Sequence, residues 1–430
     1  MIARFCLYSV FKNLRFADPF FVLYLLSLGR TFTEIGLLLG YQHALTVTLE
    51  VPSGYLADRC GRRKAIVGCF FGYCLCYTVL ALCAAMPTGW QLPGLYLALT
   101  SFGLGEALRT GSHKAIMLDY LDVNGQSDRA TEVIGLTRAW SKFSAGASAV
   151  CGGVILFATG EFGALFWLSA LPAAAGMVLM ATYPRYLDGE CSRTSTGETV
   201  ALLDWRAGVR AMFAQPRVLR LLLQSVLFES QLKVILKYYA QPMLTAGLAR
   251  HGIDLVATRA SSGTAGDGVM QRSGALWIGL FEWIRESLGG VAARSSRRFE
   301  RSQGSADRVL DVCYGTAAVL GLIAAGCFAL WNDWLVVAAI DFVLLTALQN
   351  VRRPVFVSAL NAEMEKSMRA TILSLESVAK SIVLAVMLPL VGVLADRYGP
   401  GSALLLPPCV LLAAWPLSSQ RGSRVATDVP

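Results

Sequence analysis

The chain has 430 residues, of which 55% are hydrophobic and only 16% are charged, and its mean hydropathy is +0.53. Since an ordinary soluble domain carries about 25% charged residues, this composition indicates an integral membrane protein whose main partner is the lipid bilayer. The formal net charge of +9 does not indicate a nucleic-acid partner, because the basic residues fall in short connectors between apolar runs.

A bilayer core about 30 Å thick needs about 20 mainly apolar residues per spanning helix, and about twelve segments reach that length. The first six are 7–28, 35–56, 65–85, 92–112, 133–157 and 162–183, and the second six are 219–243, 274–291, 309–330, 334–357, 371–394 and 401–417. We therefore predict an all-α polytopic protein of two six-helix bundles, 1–183 and 218–430. A polar stretch, 184–217, is the predicted cytoplasmic linker between them.

Lysine and arginine are concentrated in alternate connectors, and such positively charged short loops stay in the cytoplasm. One side holds the group Arg59, Arg62, Arg63 and Lys64 together with most of the other basic connector residues. The opposite side holds only Arg30, Arg250, Arg259, Arg272 and Arg397. This asymmetry predicts that both termini are cytoplasmic, in a plasma membrane of the bacterial inner-membrane type.

Cysteine and histidine do not form a metal-binding or catalytic pattern. The eleven cysteines include no C-x-x-C pair, and most of them lie within apolar runs as small hydrophobic residues do. No zinc, nucleophile or phosphate-loop pattern accompanies His43, His113 and His251. We expect no metal, no cofactor and no enzymatic activity.

One connector stands out: Gly54-Tyr55-Leu56-Ala57-Asp58-Arg59-Cys60-Gly61-Arg62-Arg63-Lys64, between the second and third predicted helices. Glycines allow a sharp turn and close helix approach, and opposite charges can bond helix ends and each other. The connector resembles the signature loop of the major facilitator superfamily of secondary transporters, and 111–115 and 369–374 are similar to stretches of its bacterial members. The resemblance implies a conformational latch formed by Gly54, Asp58, Arg59, Gly61, Arg62 and Arg63. The alternative is a solvated basic loop that only sets topology.

The signature has two echoes in the second half of the chain. Residues 290–298 keep the glycine and paired arginines but lack the aspartate. A better copy, Gly392-Val393-Leu394-Ala395-Asp396-Arg397-Tyr398-Gly399, follows the eleventh predicted helix and therefore falls on the external face. Two interpretations stay open: Asp396 and Arg397 make an outer gate contact, or the helix count is wrong by one.

Charged residues also lie inside the apolar runs, where each costs about 2.5 to 3.5 kcal/mol at a helix centre. Glu229, Lys233 and Lys237 follow an i, i+4, i+8 spacing that predicts one polar stripe. The functional interpretation is a central cavity that binds an anionic or zwitterionic solute, with carboxylates that exchange protons; the alternative is salt bridges that serve packing. The candidates for substrate binding or coupling are Asp18, Glu106, Arg109, Glu229, Lys233, Lys237, Asp341, Glu376 and Lys380.

The resemblance implies secondary active transport of a small solute by alternating access. Proton coupling is a hypothesis motivated by the embedded carboxylates. Two alternatives remain at this point, a non-transporting sensor or receptor on the same fold and a multidrug efflux antiporter. Gly146, Gly152 and Gly153 in the fifth predicted helix occur without the proline that such antiporters carry there, which argues against drug efflux.

Overall fold

The computed structural model describes residues 1–109, 112–126, 129–184, 215–253, 267–329, 334–364 and 369–418. All regular elements within these ranges are helices. Most of the predicted linker at 184–217 lies outside the described residues, and so do 254–266 of a second connector.

Seven helices in the described ranges are long and apolar enough to cross a bilayer. They are Arg62–Cys83, Glu132–Thr159, Phe162–Ala181, Ala306–Ala329, Leu335–Ala362, Ile372–Tyr398 and Pro400–Leu417. The other predicted segments also fall on helices, but these are interrupted or more polar. Large apolar side chains such as Phe71, Leu171 and Val336 are exposed, as expected for surfaces that face lipid. The predicted fold class, an all-α polytopic membrane protein, is confirmed.

The first half of the chain contains eight described helices and one short 3-10 turn. They are α1 (Ile2–Asn13), the 3-10 turn Asp18–Phe20, α2 (Phe21–Ser27), α3 (Phe32–Cys60), α4 (Arg62–Cys83), α5 (Thr88–Arg109), α6 (Ser112–Val123), α7 (Ala130–Thr159) and α8 (Phe162–Ala181). The first predicted span is therefore interrupted between Asn13 and Asp18. Helix α6 was not predicted, because its 12 residues are too short and too polar to resemble a span.

The second half contains nine described α-helices and one π-helical segment. They are α9 (Pro216–Lys233), the π-helix Val234–Tyr239, α10 (Ala240–Arg250), α11 (Asp267–Arg294), α12 (Ser296–Gln303), α13 (Ala306–Ala329), α14 (Leu335–Ala362), α15 (Arg369–Tyr398), α16 (Pro400–Ala403) and α17 (Leu406–Ser418). A π-helix winds more residues into each turn than an α-helix, so it rotates the side chains that follow it. Such segments often lie at functional sites.

The chain divides into two compact units. Unit 1 comprises Met1–Arg30, Tyr41–Gly197 and Leu248–Trp283, and unit 2 comprises Thr31–Gly40, Glu198–Gly247 and Ile284–Pro430. Helices α3 and α11 therefore contribute residues to both units. The boundary predicted from the sequence, with bundles at 1–183 and 218–430, stays a prediction.

Each unit has its own packed interior. In unit 1, α4 packs against α5 and α8, and α1 packs against α7 and α8. In unit 2, α13 packs against α14, and α9 packs against α15 and α17. A buried apolar cluster that includes Leu221, Leu310 and Phe356 fills one region of unit 2. These interiors hold the polar side chains described next.

Candidate substrate and coupling site

The break in the first span places Arg15 inside unit 1. Leaving the helix frees backbone groups that need other partners in a bilayer. The Arg15 Nε donates a hydrogen bond to the Lys12 carbonyl at 2.9 Å. The Ala17 N–H donates to the Ser169 Oγ at 3.3 Å. The interruption is therefore stabilised by hydrogen bonds to side chains.

Arg15 reaches a carboxylate on α5, Glu106. The Arg15 Nη2 donates to the Glu106 Oε1 at 3.0 Å, and the Tyr73 hydroxyl donates to the same oxygen at 2.6 Å. The Arg109 Nε and Nη2 donate to the Glu106 Oε2 at 2.9 and 2.6 Å. Two guanidinium groups and one phenol from three parts of the chain thus converge on a single carboxylate.

Three cationic side chains, Lys12, Arg15 and Arg109, lie around Glu106, and the carboxylates of Asp18 and Glu50 lie near the two arginines. The Arg15 guanidinium also stacks on the rings of Tyr73 and Phe102, 4.7 and 5.0 Å from their centroids. Lys12 interacts electrostatically with Glu106 and both arginines, but makes no hydrogen bond or ion pair with any described residue. The Asp18 Oδ2 is 3.8 Å from the Arg15 Nη1, but the Asp18 side chain is 43% exposed. Lys12 is therefore the cation of this cluster that has no hydrogen-bonded partner among the described residues.

Several buried polar atoms in unit 1 have no hydrogen-bond partner among the described residues. They include the hydroxyl oxygens of Tyr8, Tyr77 and Tyr183 and the Nε2 of His113. The rings of Tyr8 and His113 stack with centroids 3.5 Å apart. Leaving such groups unsatisfied is costly, so each is a candidate to bind a polar solute or water.

Unit 2 contains a second carboxylate held by cations, Glu376 on α15, which is 1% exposed. It forms a bidentate pair with Arg353, whose Nη2 lies 3.0 Å from the Glu376 Oε2. The Lys380 Nζ and the Ser225 Oγ donate to the Glu376 Oε1 at 3.1 and 2.7 Å. Glu376 and Lys380 are therefore part of a larger cluster that joins three helices.

A fully buried arginine, Arg352, lies next to that cluster. Its Nη2 donates to the Gln224 Oε1 at 3.2 Å, and the Gln224 Nε2 donates to the Asp311 Oδ1 at 2.8 Å. The guanidinium carbon is 4.4 Å from the Phe228 ring centroid. Its Nε and Nη1 have no partner in the described part of the chain. Ring stacking and one amide contact thus replace a direct counter-ion.

The predicted stripe of Glu229, Lys233 and Lys237 is interrupted by the π-helix. The Glu229 Oε2 accepts a hydrogen bond from the Gln349 Nε2 at 2.7 Å, and Lys233 is half-buried. Lys237 falls within the π-helix and is exposed, with its Nζ 5.7 Å from the Tyr238 ring centroid. The π-helix changes the winding on which the predicted spacing was based, and the grouping of the three side chains on one face stays a prediction.

Asp341 on α14 has different surroundings from the other candidates. Its side chain is 3% exposed, and neither carboxyl oxygen has a hydrogen-bond partner among the described residues. A charged carboxylate without partners is costly inside a protein, whereas a protonated one costs much less.

A family model for the Major Facilitator Superfamily matches residues 1–265, more than half of the chain. The chain belongs to the Major Facilitator Superfamily. It is a secondary solute transporter of that superfamily. No curated protein sequence matches it.

Solved structures with the same fold agree with this assignment. A point mutant of the nucleoside transporter NupG is 13% identical with a TM-score of 0.74, over 97% of this chain and 99% of that chain. The D-xylose-proton symporter is 13% identical with a TM-score of 0.69, over 97% and 96%. A POT family transporter in complex with 5-aminolevulinic acid is 15% identical with a TM-score of 0.66, over 97% and 93%. At these identities the likeness shows the fold alone.

Part of the signature loop lies within the residues that the structure describes. Gly61 has a φ of +99°, which glycine adopts readily, and it separates α3 from α4. The Arg62 Nη1 lies 2.6 Å from the Asp119 Oδ2 on α6. The Arg63 Nη1 donates to the carbonyls of Ala181 and Tyr183 at 3.1 and 3.2 Å. The surroundings of Gly54, Asp58 and Arg59 lie outside what the structure describes, so the predicted latch stays a prediction.

The superfamily member also contains functional candidates that the sequence analysis did not select. Lys12, Arg15 and Tyr73 surround Glu106, and Arg352 and Arg353 lie beside Glu376. Lys12 and Arg15 carried a signal, because they interrupt the first apolar run. The adjacent pair Arg352 and Arg353 resembled loop residues that only set topology. Tyr73 carried no signal, since aromatic residues are common in spanning helices.

Proposed function

We propose that this transporter moves a small anionic or zwitterionic solute together with protons, by alternating access. The observation that carries the proposal is the cationic cluster in unit 1, where Lys12, Arg15 and Arg109 surround Glu106 inside otherwise apolar helices. Embedding these cations is costly, so they are expected to serve a function.

The class of solute is inferred from which charged side chains in unit 1 already have a counter-ion within the protein. Glu106 is occupied by Arg15 and Arg109, so these arginines have a fixed counter-ion. Lys12 makes no hydrogen bond or ion pair with a described residue, and an ammonium group binds a carboxylate or phosphate as a compact point charge. The unpartnered Tyr8 hydroxyl and His113 Nε2 can bond other polar atoms of a solute. These groups support a solute with one anionic group and further polar groups.

Proton coupling is supported by the contrast between carboxyl groups. Glu106 and Glu376 each accept hydrogen bonds from two cationic side chains. Asp341 is buried without any such partner in the described residues. A carboxyl group of this kind gains a proton easily and loses it when water or a cation reaches it. Asp341 is therefore the proposed proton carrier.

Uptake into vesicles that contain the purified protein tests the solute class. The panel holds radiolabelled neutral sugars and nucleosides, zwitterionic amino acids, and mono- and dicarboxylates. We expect saturable uptake of carboxylate-bearing solutes that increases when the side toward which they move is made more alkaline. Uptake confined to uncharged solutes, or flux that ignores an imposed pH gradient, would contradict the proposal. Absence of saturable flux for the whole panel would favour the sensor alternative.

Replacing Lys12 tests the residue that the proposal depends on most. Lys12→Gln removes the positive charge that has no hydrogen-bonded counter-ion, so the apparent affinity for a transported anion should fall about tenfold or more. The matched control is Lys64→Gln, an exposed lysine at the start of α4. Affinity that stays equal in both variants would remove Lys12 from the site.

A further inference from the structure

The end of α15 provides a cap for the start of α3. The Asp396 Oδ1 accepts a hydrogen bond from the Phe32 N–H at 2.9 Å, and its Oδ2 accepts one from the Thr33 N–H at 2.8 Å. The first N–H groups of a helix have no partners within the helix, and the helix dipole favours a negative charge there. The two oxygens of the Asp396 carboxylate thus satisfy two of these N–H groups. Asp396 is 364 residues from Phe32 and 363 residues from Thr33 in the sequence.

Helix α3 also has a local cap, so the Asp396 contact is additional to it. The Thr31 Oγ1 accepts a hydrogen bond from the Glu34 N–H at 3.2 Å, and the Glu34 Oε2 accepts one from the Thr31 N–H at 3.1 Å. This reciprocal arrangement is a capping box, which is sufficient to start a helix. Asp396 is therefore not needed to form α3, and its contact joins two helices instead.

Glycines allow the two helices to lie in backbone contact below this cap. A Cβ atom at Gly392 would overlap the Phe32 carbonyl, and one at Gly36 would overlap the Leu388 carbonyl. One turn further along α3, a Cβ at Gly40 would lie 2.8 Å from the Ala385 carbonyl oxygen. The glycines thus allow α3 and α15 to pack backbone to backbone at these three positions.

The residues that make the cap belong to a sequence repeat. The pattern G-x-L-A-D-R-x-G occurs at 54–61 and again at 392–399. Both copies end a helix at a glycine with positive φ, +99° at Gly61 and +85° at Gly399, and both are followed at once by another helix. The second copy presents its aspartate to the start of the helix that carries the first copy. Helix α3 therefore ends in the first copy of the motif, and its first turn is capped by the aspartate of the second copy.

We propose that Asp396 and the first turn of α3 form a latch, which holds this end of the transporter closed and is released in the other half of the cycle. The proposal rests on the alternating-access function proposed above. The contact lies at an exposed position, so the carboxylate and both N–H groups become hydrated when it opens. Hydrogen bonds to a charged group of this type shift a two-state equilibrium about tenfold to a hundredfold. That is enough to bias the two states without preventing exchange between them.

The same contact bears on the two interpretations of the repeat. The start of α3 and the end of α15 lie together, so they share one face of the membrane. A count of twelve spans with a cytoplasmic N-terminus places the start of the second and the end of the eleventh on the same external face. The geometry therefore agrees with the outer gate interpretation and does not require an error of one helix.

Hydrogen–deuterium exchange of the purified full chain tests the latch without any solute. The variants are Asp396→Ala, which removes both acceptors, and Asp396→Asn, which keeps one of them. The control is Arg397→Gln, because Arg397 is exposed and makes no hydrogen bond or ion pair with the described residues. The peptides to follow cover 31–40 at the start of α3 and 385–398 at the end of α15.

For a latch, we expect Asp396→Ala to raise exchange about tenfold at Phe32 and Thr33 and also several-fold deeper, at 34–40 and 385–392. Asp396→Asn should give intermediate rates, and Arg397→Gln should stay within twofold of the unmodified chain. Exchange that rises only at Phe32 and Thr33 would mean a simple cap and would overturn the proposal. Equal rates in all the variants would also overturn it. Because no solute is present, a wrong solute class leaves this result unaffected.

Discussion

Glu106 and Glu376 show how single residues make charge tolerable inside apolar helices. Each carboxylate accepts hydrogen bonds from two cationic side chains and from one hydroxyl group. Such clusters recover by hydrogen bonding much of the cost of removing the charges from water. Removing one member is then costly, because the others stay buried without compensation.

Glu106→Gln should therefore destabilise the protein clearly. The amide keeps the shape but leaves Arg15 and Arg109 without their shared anion, which costs about 3 kcal/mol in comparable buried pairs. The control is Glu132→Gln, since Glu132 pairs with Arg129 at an exposed site where such a pair contributes at most about 1 kcal/mol. Thermal unfolding in detergent, followed by tryptophan fluorescence, measures both. Equal melting temperatures for the two variants would contradict this role of Glu106.

Asp341→Asn should separate solute movement from proton movement. The amide has nearly the same shape but cannot bind or release the proton. We expect uptake driven by a pH gradient to be lost, while exchange of labelled for unlabelled solute at equal pH continues. The control is Asp307→Asn, because Asp307 pairs with Arg217 at a more exposed position. Uptake by Asp341→Asn that still follows the gradient would exclude Asp341 as the proton carrier.

At the scale of the helices, the length of an apolar run was enough to predict a membrane span wherever the span is one regular helix. Helices α4, α8 and α13 lie close to their predicted positions, because nothing inside them interrupts an apolar run of about 20 residues. The break near Arg15 and the π-helix at Val234–Tyr239 were not predicted, because they depend on tertiary partners. Arg15 is stabilised by Glu106, which is 91 residues away in sequence. No local spacing encodes such a contact.

The glycine contacts of α3 give a prediction at the same scale. Gly36→Ala should destabilise the protein by about 1 to 3 kcal/mol, because the new methyl group overlaps the Leu388 backbone and forces α3 and α15 apart. Gly135→Ala, in α7, is the matched control, since nothing lies within 4 Å of its Cβ position and alanine favours helix. Thermal unfolding should show a lower midpoint for the first and an unchanged or higher one for the second. The reverse order would refute the close approach.

For the whole molecule, the distribution of charge and the contacts in each unit point to one topology. In unit 1, Arg62 and Arg63 bring the start of α4 to α6 and to the end of α8. The basic residues of these connectors predict that this face is cytoplasmic. In unit 2, Asp396 brings the start of α3 to the end of α15, where few basic residues lie. The sequence could predict the two faces because charge counts are local, but it could not show which connectors meet.

Reporter fusions test this topology directly. Alkaline phosphatase is active only outside the cytoplasm, so fusions after Arg30 and after Gly160 should be active, because both positions end outward-directed predicted spans. Fusions after Gly61 and after Gly125 should be inactive, and a fluorescent protein that matures only in the cytoplasm should show the opposite pattern. Inverted activity at all four sites would reverse the orientation while keeping the fold. Activity on both sides of one predicted span would show that this segment does not cross the membrane, and the outer position of Asp396 would then have to be abandoned.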